Sequence, residues 1–123
     1  MPSVRRITVQ LDYNDIRDLR IITVGENRID AAVAITFKDR MRELCEDGPD
    51  RVLLDMAQVG FIDSSGLGAV VASMKQLGKD KALELAGLSP AVRKVFQLTR
   101  MDTVFIIHPS AAGALGNDVA DAS

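Results

Sequence analysis

Residues 52–54, Val-Leu-Leu, form an unbroken apolar run with polar sequence on either side. A run of that kind fits a strand buried on both faces, and such a strand needs helices packed against its sheet. The flanking segments supply them. Upstream, Ala34, Phe37, Met41 and Leu44 recur at helical spacing, with Lys38, Asp39, Arg40, Arg42 and Glu43 on the opposite face. Asp30 is the expected N-cap of this helix, and Gly48-Pro49-Asp50 the expected stop. Downstream, Leu67, Val70, Val71, Met74 and Leu77 line one side of a helix predicted over residues 64–77, with Gly78 ending it.

The alternation continues to either end. Ala82 to Ala86 reads as the next strand, and Ser89-Pro90 places a capping hydroxyl before a proline suited to the first helical turn. The helix that follows carries Val92, Val95, Phe96 and Thr99 inward, and Val104 to Ile107 is a final buried strand. The tail from about Pro109 is a weak helix or a frayed end. At the start, Ile7, Val9 and Leu11 alternate with polar residues, Asp- and Asn-rich residues 12–18 suit a turn, and Leu19 to Val24 gives a second strand. The order ββαβαβαβ predicts an α/β fold: a mainly parallel mixed sheet with an antiparallel N-terminal edge strand and three to four helices. Residues 1–123 read as a single domain.

Composition narrows the function classes. The net charge of −2 comes from interspersed signs, and Arg5-Arg6 is too short a basic stretch to neutralise phosphates, so direct nucleic-acid binding is not expected. One cysteine, Cys45, precludes an internal disulfide and a cysteine metal site, and it falls on an apolar helix face as an inert thiol. The apolar runs fall far short of a membrane span, and the N-terminus lacks the apolar core of a secretory signal. A soluble, cytoplasmic protein without a membrane association is the expectation.

The most informative segment is Phe61-Ile62-Asp63-Ser64-Ser65-Gly66-Leu67-Gly68, at the entry to the second helix. In a purely structural role, Asp63 or a serine caps the helix and the glycines permit close packing. Yet glycine costs a helix about 1 kcal/mol relative to alanine, so two near its start call for a reason. Access is one: a surface without β-carbons lets a partner's backbone approach. A serine hydroxyl at a helix N-terminus is also a suitable phosphate acceptor, since the dipole and free N–H groups accommodate the added charge.

Residues 51–100 resemble the anti-sigma-factor antagonists, the founding members of the STAS domains. The resemblance rests on Leu54-Asp55 in the third predicted strand, the Asp63-to-Gly68 segment, and Ser89-Pro90-Ala91-Val92 at the next helix start. It implies that Ser64 accepts phosphate, with Ser65 a lesser candidate, and that Asp63, Gly66, Leu67 and Gly68 complete a partner-binding surface. It further implies a partner switch. The unphosphorylated protein binds an anti-sigma factor that is also a serine kinase, freeing the sigma factor. Phosphorylation dissolves the complex, and a metal-dependent serine phosphatase restores it. The protein is a substrate in this scheme, with no cofactor of its own. One departure stands out: many relatives carry Gly-Glu-Leu-Asp after the second strand, whereas this chain has Gly25-Glu26-Asn27-Arg28. Arg28 reads as a solvated loop residue, or as a partner for phosphoserine or a determinant of which kinase is recognised.

Other readings are open to test. Ser64, Asp55 and His108 make a conceivable nucleophile, acid and base set, but the G-x-S-x-G elbow is missing. Gly66-Leu67-Gly68 lacks the third glycine of a dinucleotide loop, Val71 standing there, and no P-loop lysine follows. A stand-alone STAS module for ligand sensing or assembly, without a phosphoswitch, is the principal alternative.

Overall fold

The computed structural model describes residues 9–120, with side chains described through residue 115. Strands β1 (Leu11–Ile16), β2 (Leu19–Val24), β4 (Arg51–Asp55), β6 (Ala82–Ala86) and β7 (Ile106–His108) form a mixed sheet in the order β1-β2-β4-β6-β7. The β1–β2 pair is antiparallel and the other pairs are parallel. Two short strands, β3 (Arg28–Ile29) and β5 (Phe61–Ile62), make a separate parallel ribbon. Helices α1 (Ala34–Cys45), α2 (Ser64–Leu77), α3 (Pro90–Leu98) and α4 (Ala111–Ala120) complete the architecture.

One sheet face carries most of the core. Ile22, Val24, Val52, Leu54, Leu83 and Leu85 pack there with Phe37 and Met41 of α1, Val70 of α2, and Val92 and Phe96 of α3. The other face buries Leu19, Ile21, Leu53 and Ala86 with Ala114 of α4. The Val52-Leu53-Leu54 run is therefore covered on both sides, as its unbroken hydrophobicity requires. Among the described residues, no helix is long and apolar enough to cross a membrane.

The sequence places α2, β6 and the start of α3 where the structure has them. Ser89 Oγ accepts a 3.4 Å bond from the Val92 N–H, with Pro90 opening the helix. Cys45 is buried, and burial pushes its thiol pKa up.

Several boundaries differ. The expected turn over residues 12–18 is the continuation of β1 through Ile16, closed by a two-residue turn at Arg17-Asp18. Asp12 to Asp15 lie on an edge strand whose pairing with β2 overrides their turn preference, and Arg17 adopts φ 57°. Ile7 and Arg5-Arg6 lie outside the described residues. Asp30 does not cap α1: that helix starts after Val33, without a side-chain cap. Asp30 instead organises the preceding turn, accepting bonds from Ala32 N–H at its carboxylate and Val33 N–H at its carbonyl. Thr99 is exposed, its hydroxyl donating 2.7 Å back to the Val95 carbonyl. The last strand begins at Ile106 rather than Val104, because left-handed Arg100 and a 3-10 turn at Met101–Thr103 take up the intervening chain. Phe105 is buried edge-to-face on Phe96, while Val104 and Ile106 are exposed.

Candidate functional site

The Asp63-to-Gly68 segment lies where the β5 chain turns into α2, and Asp63 fixes that junction. Its backbone is extended, and Oδ1 accepts a 2.8 Å bond from the Gly66 N–H, the expected N-cap arrangement. Oδ2 accepts a second bond, 3.3 Å from the Ala31 N–H. The Asp63 N–H donates to the Ile29 carbonyl, continuing the β3–β5 ladder by one step. One carboxylate thus joins the start of α2 to the segment between β3 and α1.

Ser64 and Ser65, the first two residues of α2, are both exposed. Ser64 also stands at the edge of an open groove between α2 and the chain after α3, lined by Leu67, Gly68, Val71, Lys75, Thr99 and Met101. Ser64 thus combines a helix N-terminus, solvent access and an adjoining concave, largely apolar surface. Leu67 is mainly a core residue at 9% exposure, with its edge toward the groove.

The two glycines have different surroundings. A β-carbon on Gly66 would overlap the Ile29 carbonyl oxygen, so the helix approaches β3 as closely as it does only because that side chain is missing. A β-carbon on Gly68 would meet nothing within 4 Å. Close packing explains Gly66; Gly68 leaves an open surface beside Ser64.

Arg28 is not a loop residue. It lies in β3, directly opposite Phe61 of β5. Its guanidinium carbon sits 4.6 Å from the Phe61 ring centroid, and Nε donates 3.1 Å to Asp30 Oδ2. Phe61 itself is 44% exposed although it is one of only four phenylalanines in the chain. The sequence offered no role for it, because a two-residue strand carries no period; the exposed aromatic emerges only from the ribbon.

Asp55 and His108 are engaged elsewhere. Asp55 Oδ1 accepts from the Ala57 N–H at 3.0 Å, and His108 Nε2 lies 2.8 Å from Glu84 Oε1. Neither hydrogen-bonds Ser64, so the conceivable catalytic set is not assembled. Among the described residues, no cluster of three or more His, Cys, Asp or Glu side chains is placed to hold a metal.

A family model described as the STAS domain matches residues 10–119. The anti-sigma-B factor antagonist of Bacillus subtilis is 27% identical over 110 residues, covering 89% of this chain and 97% of that protein. The crystal structure of an anti-sigma factor antagonist from Mycobacterium paratuberculosis aligns with a TM-score of 0.78 at 24% identity, over 89% of this chain and 93% of that one. The Bacillus cell fate determinant SpoIIAA aligns in its unphosphorylated form with a TM-score of 0.71 at 22% identity, over 92% and 97% of the two chains. Its phosphorylated form gives 0.65 at 20% identity, over 89% and 98%. These structural likenesses establish the fold.

Proposed function

The chain belongs to the STAS domain family, and on that premise we propose that it is an anti-sigma factor antagonist switched by phosphorylation of Ser64. The unphosphorylated protein binds an anti-sigma factor with serine kinase activity and so frees the sigma factor. Within that complex the kinase transfers the γ-phosphoryl group of ATP to Ser64 Oγ; the hydroxyl proton is released and ADP leaves. A metal-dependent serine phosphatase returns the protein to its binding form. Ser65 is a secondary acceptor, and Gly68 together with the exposed edge of the groove forms the contact surface.

The observation that carries this reading is the placement of Ser64: exposed, first in α2, and at the edge of an apolar groove. A phosphate there adds roughly −1.5 to −2 charges to a surface that a partner must desolvate, which opposes association through both repulsion and lost hydration. The names of the relatives give the general role, antagonism of an anti-sigma factor. The groove favours one other reading, a small apolar ligand held between α2 and the chain after α3 without a phosphoswitch.

The test is capture from a native lysate on wild-type and Ser64→Glu protein, first without ATP and then with it. The switch predicts a serine kinase on the wild type alone, released by ATP as phosphate appears on Ser64. The Ser64→Glu protein should keep wild-type circular dichroism and lose at least about tenfold in affinity, the order of magnitude for an unpaired interface charge. Equal retention of a non-kinase partner on both proteins excludes the switch and leaves the ligand or assembly role.

A further inference from the structure

We propose that Arg28 is the intramolecular counter-ion of phosphorylated Ser64, exchanging the Asp30 carboxylate for the phosphate. The inference rests on Ser64 as the phosphate acceptor, and it adds how this particular chain accommodates the new charge.

The placement follows from the β3–β5 ribbon. Arg28 pairs with Phe61 and Ile29 with Ile62, and the Asp63 N–H bond to the Ile29 carbonyl carries the ladder onward. Asp30 therefore lies beside Asp63, and the Asp63 bond to the Ala31 N–H holds the two segments together at that level. The Arg28 side chain runs along the ribbon in the same direction, across the Phe61 ring, to reach Asp30. Its guanidinium is thus carried toward the level of Asp63, and Ser64 is the adjoining residue, where the chain turns into α2.

The present partner is replaceable. Arg28 meets Asp30 through Nε at 3.1 Å, and its side chain is 58% exposed. Guanidinium binds phosphate through two parallel charge-assisted bonds, stronger than one solvent-exposed contact to a carboxylate. Without such a cation, phosphate on Ser64 would sit one residue from the Asp63 carboxylate, with the helix dipole to offset it. Phe61 contributes by keeping the guanidinium over its ring, 4.6 Å from the centroid, at the outer side of the ribbon.

The test uses the full chain with phosphoserine installed at position 64 during synthesis, which removes any dependence on finding the kinase. Phosphorus NMR then follows the second ionisation of the phosphate at low salt. Arg28→Gln should raise that measured pKa by about half a unit, the scale set by exposed ion pairs. Arg28→Lys should lie between the two, and Arg93→Gln on α3 should match the parent. In the unsubstituted protein, the Arg28 Nε–H resonance should move when Ser64 is phosphorylated and return after enzymatic dephosphorylation. Identical phosphate titration in parent and Arg28→Gln, together with an unmoved Nε–H resonance, overturns the proposal. Absence of a cognate kinase would count against Ser64 as the natural acceptor, but would leave these spectra unaffected.

Discussion

Gly66 and Gly68 stand two residues apart in the same helical turn and lack side chains for opposite reasons. At Gly66 a β-carbon overlaps the Ile29 carbonyl, so Gly66→Ala forces α2 off β3 and strains the Asp63 bonds at the junction. The expected cost is about 2–3 kcal/mol, as for other overpacked sites, read as a lower urea midpoint with unchanged slope. At Gly68 the added methyl group points into open space and removes the conformational freedom glycine has in the unfolded chain. Gly68→Ala should raise stability by about 0.5–1 kcal/mol in the same titration. If Gly68 serves partner approach, that more stable variant should bind the anti-sigma factor less tightly by calorimetry. Unchanged affinity would make Gly68 incidental to recognition. Stability and binding thus move in opposite directions at a single residue, a separation that substitution at Gly66 cannot give.

Arg20 does for the elements what Asp63 does for the site. It is buried, with Nε and Nη2 on the two carboxylate oxygens of Asp15, and Nη1 on the carbonyls of Leu44 and Asp47. The β1–β2 hairpin is thereby fastened to the C-terminal end of α1, where unpaired carbonyls need donors. Gly48, at φ +90°, packs against the guanidinium and has no room for a β-carbon. Arg20→Met keeps the apolar stem but takes the donor from the Leu44 carbonyl and the cation from Asp15, while Lys81 still donates to the Asp47 carbonyl; it should cost about 2–3 kcal/mol by urea unfolding. Elements with local signals of this kind were legible in the sequence: α2 begins on a capping Asp, α3 on Ser-Pro, and β4 is an apolar run. The hairpin was displaced because β1 is held by pairing with β2, while its own residues, Asp12, Asn14 and Asp15, favour turns. The β3–β5 ribbon was invisible, since two residues per strand define no period. Ser64 was legible as part of a motif; the groove beside it was not, because Thr99 and Met101 reach it from beyond α3.

Across the whole molecule, one charged cluster ties together strands on the sheet face opposite the main core. Glu84 of β6 is buried, accepts two bonds from Arg51 of β4, at 2.9 and 3.0 Å, and lies 2.8 Å from His108 of β7. Hydrogen bonds from Arg51 hold its carboxyl below the usual glutamate range; burial opposes them, and His108 adds to the lowering. Between the lowered folded value and the unfolded value near 4.3, the unfolded chain binds more protons, so stability rises with pH there. The contribution of Glu84 is therefore complete above about pH 5 and disappears as pH falls through the folded value. Glu84→Gln keeps the shape without the charge. It should be less stable than the parent by about 1.5–3 kcal/mol at pH 7, the range for hydrogen bonds to a charged group. That gap should narrow steadily below about pH 4.3, measured as paired urea midpoints along a pH series. A gap that stays constant down to pH 3 would show that Glu84 acts by shape and neutral hydrogen bonding, and that acid unfolding begins elsewhere. The outcome bears on the proposed switch as well, because β4 and β6 are neighbouring central strands and β4 leads through β5 into the Ser64 junction. If the cluster holds those strands in register, Glu84→Gln should lower global stability while leaving the 31P titration of phosphorylated Ser64 unchanged. A shifted titration would mean that loosening the sheet reaches the junction through β4 and β5.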